Sequence, residues 1–438
     1  MRNWRQVQLG QIADVRVSNV DKKTLPGEIP VRLCNYMDVY SNDYIRDHLS
    51  FMPASATNAE IARFKVECGD VLITKDSETP DDIGIPTVVI NTIDNLVCGY
   101  HVALLKPNKS VVDPVYLCKQ LGRAESAGYF ARYAAGSTRY GLPMGAMMRA
   151  PIALAPLAQQ KKIAAVLSTI DTAIEQTEAL IGKYQHIKTG LMHDLFTRGV
   201  LPTGQLRPLR EQAPELYQET AIGWIPTEWR LRPLGEMANI VSGVTLGAKR
   251  GPTDSIDAPY LRVANVQDGY LDLSEIKRVR ISPITLEQLR LEPGDVLMNE
   301  GGDFDKLGRG AVWQGEIENC IHQNHVFRVR CNPNTLLPDY LSYYSESAFG
   351  KKYFVMSSKQ STNLASINST QLKAYPIALP PLTEQAAITL HVQLAKHRQD
   401  TLKAEALKLR SKKLGLMQDL LTGKVPVTVD EAQEEVMA

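Results

Sequence analysis

The sequence predicts an α+β chain: two repeated, strand-rich domains, each followed by a long helix, with the two helices paired as a coiled coil. Three observations predict it. Segments recur in order at a near-constant offset. Short β-branched stretches fill the first part of each copy, and a seven-residue apolar repeat fills the second.

The repeat organises the rest. Trp4-Arg-x-x-x-Leu9-Gly10 recurs 225 residues on as Trp229-Arg-x-x-x-Leu234-Gly235, and Gly69-Asp70-Val71-Leu72 as Gly294-Asp295-Val296-Leu297. Arg32-x-x-Asn35-x-x-Asp38 returns as Arg262-x-x-Asn265-x-x-Asp268, His101-Val102 as His325-Val326, and Ser137-Thr138 as Ser361-Thr362. Pro151-Ile-Ala-Leu154 equals Pro376-Ile-Ala-Leu379, and GLMHDLFTRGV (190–200) aligns with GLMQDLLTGKV (415–425). Chance does not keep such matches in order at offsets of 224 to 230. The copies run from about Trp4 to Val200 and from Trp229 to Val425. Four prolines mark the stretch between them as a linker wrapping a surface.

Within each copy, β-branched stretches bounded by turn residues read as strands: VRLCNY, VLITK and PTVVIN, then PYLRVANV, DVLMN and HVFRVR. Gly69-Asp70 and Gly294-Asp295 are turn signals, since glycine allows positive φ. The long helices follow. Ile163, Ile170, Tyr184 and Leu191 fall on one seven-residue column, with Thr177 in its weak slot, and Val166, Ala173, Leu180 and Ile187 lie three residues later. Ile388, Ala395, Leu402, Leu409 and Leu416 keep the same step. Neither proline nor internal glycine interrupts 157–181 or 382–414. A 3.5-residue period over about four heptads predicts a seam facing another helix, and 40 residues would span about 60 Å. The competing arrangement packs each helix on its own domain alone; the length and strict heptad favour pairing. The expected boundaries are strand-rich domains at 1–156 and 229–381, helices at 157–198 and 382–422, a linker at 199–228 and a tail at 423–438.

Composition sets limits. With 44% hydrophobic and 22% charged residues the chain reads as soluble and globular. Its apolar runs are too short and too charged for a membrane span, and MRNWRQVQLG has no secretory core, so a cytoplasmic protein is expected. The six cysteines form no CxxC pair and are expected to be free buried thiols. Net charge is +1, and 17 basic against 16 acidic residues in 1–156, or 19 against 20 in 205–381, give no global basic signal. Any nucleic-acid face must be a local patch.

The search for chemistry comes back empty. The chain has no Gly-x-x-x-x-Gly-Lys-Ser/Thr loop, no Asn/Asp-Pro-Pro-aromatic segment, no His-Glu-x-x-His and no Gly-x-Ser-x-Gly. The glycine-rich acidic stretch 300–310 reads as a mobile loop beside a strand, not as a metal or nucleotide site. His101 and His325 sit at equivalent strand starts and are expected to be structural, with DNA contact as the lesser alternative.

Pro376-Ile-Ala-Leu-Pro-Pro-Leu-Thr-Glu-Gln385 running into Ile388, the linker Ile222-Gly-Trp-Ile-Pro226-x-x-Trp229 and the helix end GLMQDLLTGKV together resemble the specificity subunit of type I restriction–modification systems. The resemblance covers essentially the whole chain through its duplication. The first copy departs locally, with Ala155 for Pro380 and Gln159 for Glu384. It implies two target recognition domains, each reading half of an interrupted DNA site, joined by two long antiparallel helices that form a coiled coil and set the gap. It also implies two methyltransferase subunits and two restriction/motor subunits as partners. S-adenosylmethionine, ATP and Mg²⁺ belong to those partners, so no cofactor, metal or catalytic residue is expected on this chain. Competing readings are an orphan DNA-binding or scaffold protein, or a nuclease or methyltransferase in its own right; the missing motifs argue against the last. Because the half-sites differ, the DNA-reading segments should be those that diverge between copies: 75–87 and 136–144, 299–310 and 357–366. Lys75, Arg139, Tyr140, Lys306, Arg309, Lys359 and Asn363 are the candidate contacts there, since Arg and Lys suit guanine edges or phosphate and Asn suits adenine. Arg32, Asn35, Asp38 and their copies recur, so they are expected to build the fold.

Overall fold

The computed structural model describes residues 4–246, 254–302, 307–357, 359–360 and 365–428. Two compact units emerge, Met1–Glu178 with Ala404–Ala438, and Ala179–Lys403. Each unit therefore contains one strand-rich domain, the start of one long helix and the end of the other. The helices run Leu157–Thr197 and Leu382–Leu420.

Unit 1 is built on a five-stranded sheet ordered Ala13–Val17, Val102–Pro107, Val71–Thr74, Pro86–Val89 and Tyr44–Ile45, beside a three-stranded sheet of Met52–Ala56, Ile29–Cys34 and Leu96–Cys98. Unit 2 repeats this order in four strands, Ala238–Ser242, Val326–Cys331, Asp295–Asn299 and Gly310–Val312, with Lys277–Ile281, Ile256–Leu261 and Ile321–His322 as its second sheet. The Gly-Asp signals are turns in both. Gly69 and Gly294 take φ of 89° and 95°, where a side chain would be strained. Asp70 and Asp295 accept the backbone N–H of Glu67 and Glu292, each at 2.8 Å. Lys106 then pairs with Asp70, and Arg330 clasps Asp295 with two nitrogens at 2.7 and 2.9 Å. The recurring Asn35 and Asp38 close a helix cap, and buried Asn265 ties its turn to the carbonyls of Asp272 and Glu275, so these three build the fold, whereas Arg32 is exposed.

The motif that opens each long helix has the same task in both copies. Gln160 accepts the N–H of Asp113 and donates to the carbonyls of Val111 and Ala155. Gln385 accepts from Leu337 and donates to Thr335 and Pro380. A buried glutamine thus satisfies the loop entering the helix Pro114–Leu121 or Pro338–Glu346 and the carbonyl left free at its own proline-started turn.

Inside each unit the two helix segments run antiparallel. In unit 1 Asp171 meets Lys413 and Glu178 meets Arg410; in unit 2 Gln185 meets Gln399 at 2.6 Å. Ile163, Ile170, Ile388 and Leu402 are buried, and Tyr184, Leu191, Leu409 and Leu416 are half-buried. The second expected column differs. Val166, Leu180 and Ile187 are exposed, and the buried companions lie four residues after the first column, at Leu167, Ile174 and Leu195. The reason is that each helix packs on a strand domain as well as on its partner helix. Ile163 and Leu167 join the unit 1 core with Tyr116, Phe130, Leu420 and Leu421, and Leu195 and Phe196 join the unit 2 core with Tyr340, Phe354 and Ile388. A domain on that side buries the fourth residue, not the third.

The cysteines are unbonded. Cys34, Cys98, Cys118 and Cys320 are buried as expected, and burial pushes the Cys118 and Cys320 thiols up to about 12. Cys331 is half-buried, and Cys68 is exposed because it lies on the turn before Gly69. No described helix is long and apolar enough to cross a membrane.

Candidate nucleic-acid interface

The segments that diverge between the copies come together in space. In unit 1, Asp76–Ser77 pairs with Tyr140–Gly141, which pairs with Ala135–Gly136. In unit 2, Gly301–Gly302 pairs with Ala365–Ser366, which pairs with Lys359–Gln360. Each set is a small three-stranded flap off the main sheet. Among the described residues it joins 76–77 to 135–136 and 140–141 in one unit, and 301–302 to 359–360 and 365–366 in the other.

Two devices hold each flap. At its start a histidine faces a carboxylate: His101 Nδ1 lies 2.8 Å from Asp76, and His325 Nδ1 lies 2.6 Å from Glu300. Further on, Gly84 (φ 77°) and Gly308 (φ 66°) rest on the buried rings of Phe130 and Phe354. A Cβ there would come within 2.4 and 2.2 Å of the ring. Both the left-handed backbone and the fixed aromatic exclude a side chain. Gly308→Ala is expected to cost unit 2 about 3 kcal/mol by denaturant unfolding, and wild-type unfolding would refute the close packing.

The candidate contacts fall in different settings. Arg139 is exposed at the flap tip, and Tyr140 is half-buried in its middle strand. Lys75 turns inward, 3.0 Å from Asp76 and 4.7 Å over the Tyr100 ring, which leaves little of it for a ligand. Arg309 is half-buried and donates to Gln267 at 2.9 Å, with Asp268 3.8 Å away. Lys359 lies on the edge strand of the second flap. Lys306 and Asn363 lie outside the described residues.

Beside the first flap opens a groove of about 940 Å³, lined among others by Tyr36, Tyr40, Asp76, Asp82, His101 and Arg139. Tyr36 and Tyr40 stack at 5.5 Å with exposed Met37 and Met52 nearby. Flat rings, carboxylate acceptors and an arginine can meet base edges and exocyclic amines. Among the described residues no cluster of His, Cys, Asp and Glu could hold a metal ion. The histidines and the Gly–Phe contacts escape a reading by divergence, because both recur in the two copies; the spacings 84/308 and 130/354 are the signal that would have found the second.

Comparison with known proteins bears on this arrangement. Residues 226–391 match the family model for the type I restriction modification DNA specificity domain. A candidate type I restriction enzyme specificity subunit, MjaX, from Methanocaldococcus jannaschii is 30% identical over 48% of this chain. This chain spans only about half of that relative, 49%. The MjaVIII specificity subunit of the same organism is 24% identical over 97% of this chain and 93% of its own length. The crystal structure of a type I restriction–modification S subunit from M. genitalium covers 98% of this chain with a TM-score of 0.54 at 14% identity, which shows a shared fold. A structure from work on complex assembly and conformational transition of the type I R-M system covers 96%, with a TM-score of 0.56 at 16% identity. The matched domain lies in the second copy and its topology repeats in the first, so residues 226–391 carry the type I restriction modification DNA specificity domain and the chain as a whole is similar to type I restriction–modification specificity subunits over nearly its full length.

Proposed function

We propose that this chain reads an interrupted, bipartite duplex DNA site, one half with each strand-rich domain (1–156 and 229–381). The observation that carries the reading is the gathering of described parts of each domain's divergent segments into one flap. Arg139, Tyr140, Arg309 and Lys359, together with Lys306 and Asn363, which lie outside the described residues, supply base and phosphate contacts, and Lys75 acts by shaping the loop. The paired helices set the gap between half-sites and, with the linker 199–228, offer two similar seats to two methyltransferase subunits; two restriction/motor subunits join through that complex. S-adenosylmethionine, ATP and Mg²⁺ serve those partners. An internal duplication suits this task, since two similar domains can each take one copy of the same partner in the same way.

The test is domain exchange. Replacing residues 1–150 with the matching domain of another reader is expected to change one half-site of the methylated sequence and leave the other and the gap intact. Methylated-adenine mapping reads this directly, and a change in both halves would end the modular reading.

A further inference from the structure

We infer that His101 and His325 are positioning residues for DNA reading, each pinning its flap to the main sheet in the geometry that presents the divergent side chains; this rests on the function proposed above. The flaps need such a pin. Among the described residues each of their strand pairs is two residues long, too short a ladder to be stable alone.

The contact is made the same way twice. An ionised carboxylate only accepts hydrogen bonds, so in both pairs the imidazole Nδ1–H is the donor. The backbone frames also agree: Lys75 N–H donates to the His101 carbonyl (2.9 Å) and Glu300 N–H to the His325 carbonyl (3.0 Å). Leu142 N–H then donates to Lys75 O and Ile367 N–H to Glu300 O, both at 2.8 Å, so Glu300 occupies the backbone place of Lys75.

The acids, however, come from places one residue apart. In unit 1 the carboxylate is that of Asp76, the next residue along; in unit 2 it is that of Glu300 itself, longer by one methylene. Two routes end on one contact, which argues for a task beyond inherited packing. Nor are these core histidines, since the side chains are 31% and 58% exposed.

The experiment selects preferred sequences from a pool of random duplexes with the full chain, then with His101→Ala, His101→Asn and His101→Gln. Asparagine places an amide nitrogen where Nδ1 lies, and glutamine places one where Nε2 lies. The alanine variant should lose about tenfold discrimination at one half-site only. Asparagine should restore it and glutamine should not. The same series at His325 should act on the other half-site. Rescue by glutamine instead would make the histidine a direct DNA contact and overturn the inference, as would unchanged discrimination in the alanine variant.

Hydrogen exchange at residues 135–141 without DNA gives an independent reading. It should quicken in His101→Ala and not in His101→Asn, and unchanged exchange defeats the pin on its own. A wild-type chain that selects no bipartite sequence would instead remove the proposed function, with the exchange readout still deciding the pin.

Discussion

An Asp171→Ala chain is expected to lose about 3–5 kcal/mol from unit 1, the usual cost of leaving a buried charge without its counter-ion. Asp171 is buried on the first long helix. It accepts from the Tyr44 hydroxyl and lies 2.7 Å from both Lys119 and Lys413, one from the strand domain and one from the second helix. Asp43 adds a second acid, 2.6 Å from Lys413 and 3.3 Å from Lys119. Burial alone would raise the Asp43 carboxyl, but the two lysines outweigh it and hold it below the ordinary carboxylate range. Removing Asp171 leaves Lys119, itself buried, facing only Asp43 across the longer distance. Denaturant unfolding should show an early transition for unit 1, smaller in Asp171→Asn, with unit 2 unchanged. Wild-type midpoints in both variants would mean that the network contributes nothing. Unit 2 is keyed differently. Lys396 stands at the place of Asp171 and donates to Gly269 O at 2.6 Å, and Lys188 stands at the place of Lys413 and pairs with Glu346 at 2.5 Å.

Glu384→Gln is expected to cost unit 2 about 3 kcal/mol. Its buried carboxylate receives the Arg207 guanidinium, the Trp229 indole N–H at 3.1 Å and the Val200 N–H at 2.9 Å. These join the linker, the start of the second domain and the end of the first helix. The amide loses one acceptor oxygen and leaves buried Arg207 with Glu228 at 2.5 Å as its remaining acid. The first copy already carries Gln159 at this place, and its Trp4 indole N–H has no partner among the described residues. Gln159→Glu should therefore bring no gain, because no arginine corresponding to Arg207 is described there. Thermal unfolding of the two variants checks both statements, and a Glu384→Gln chain as stable as wild type would refute the first.

How much of this could be read from residues alone depended on what repeats. The duplication, the strand content and the long helices were legible because Trp4/Trp229, the Gly-Asp turns and the heptads repeat locally. The seam was half legible. Ile163 and Ile388 followed from periodicity, but the choice of Leu167 over Val166 depends on a domain packed beside the helix, which no one-dimensional pattern records. The same holds for the interface. Divergence located the segments now joined in the flaps, but it could not show Lys75 folded onto Tyr100, or find His101 and Gly84, which hold a flap by being the same in both copies.

Gly423 packs on Trp4, and the carbonyl of Leu421 accepts from Gln120. The first domain therefore closes its core with residues that leave the ribosome only after the whole of unit 2. Unit 2, one uninterrupted stretch, can finish first although its code comes later. A nascent chain stopped short of residue 404 thus carries a completed second half and an N-terminal domain still waiting for its lid.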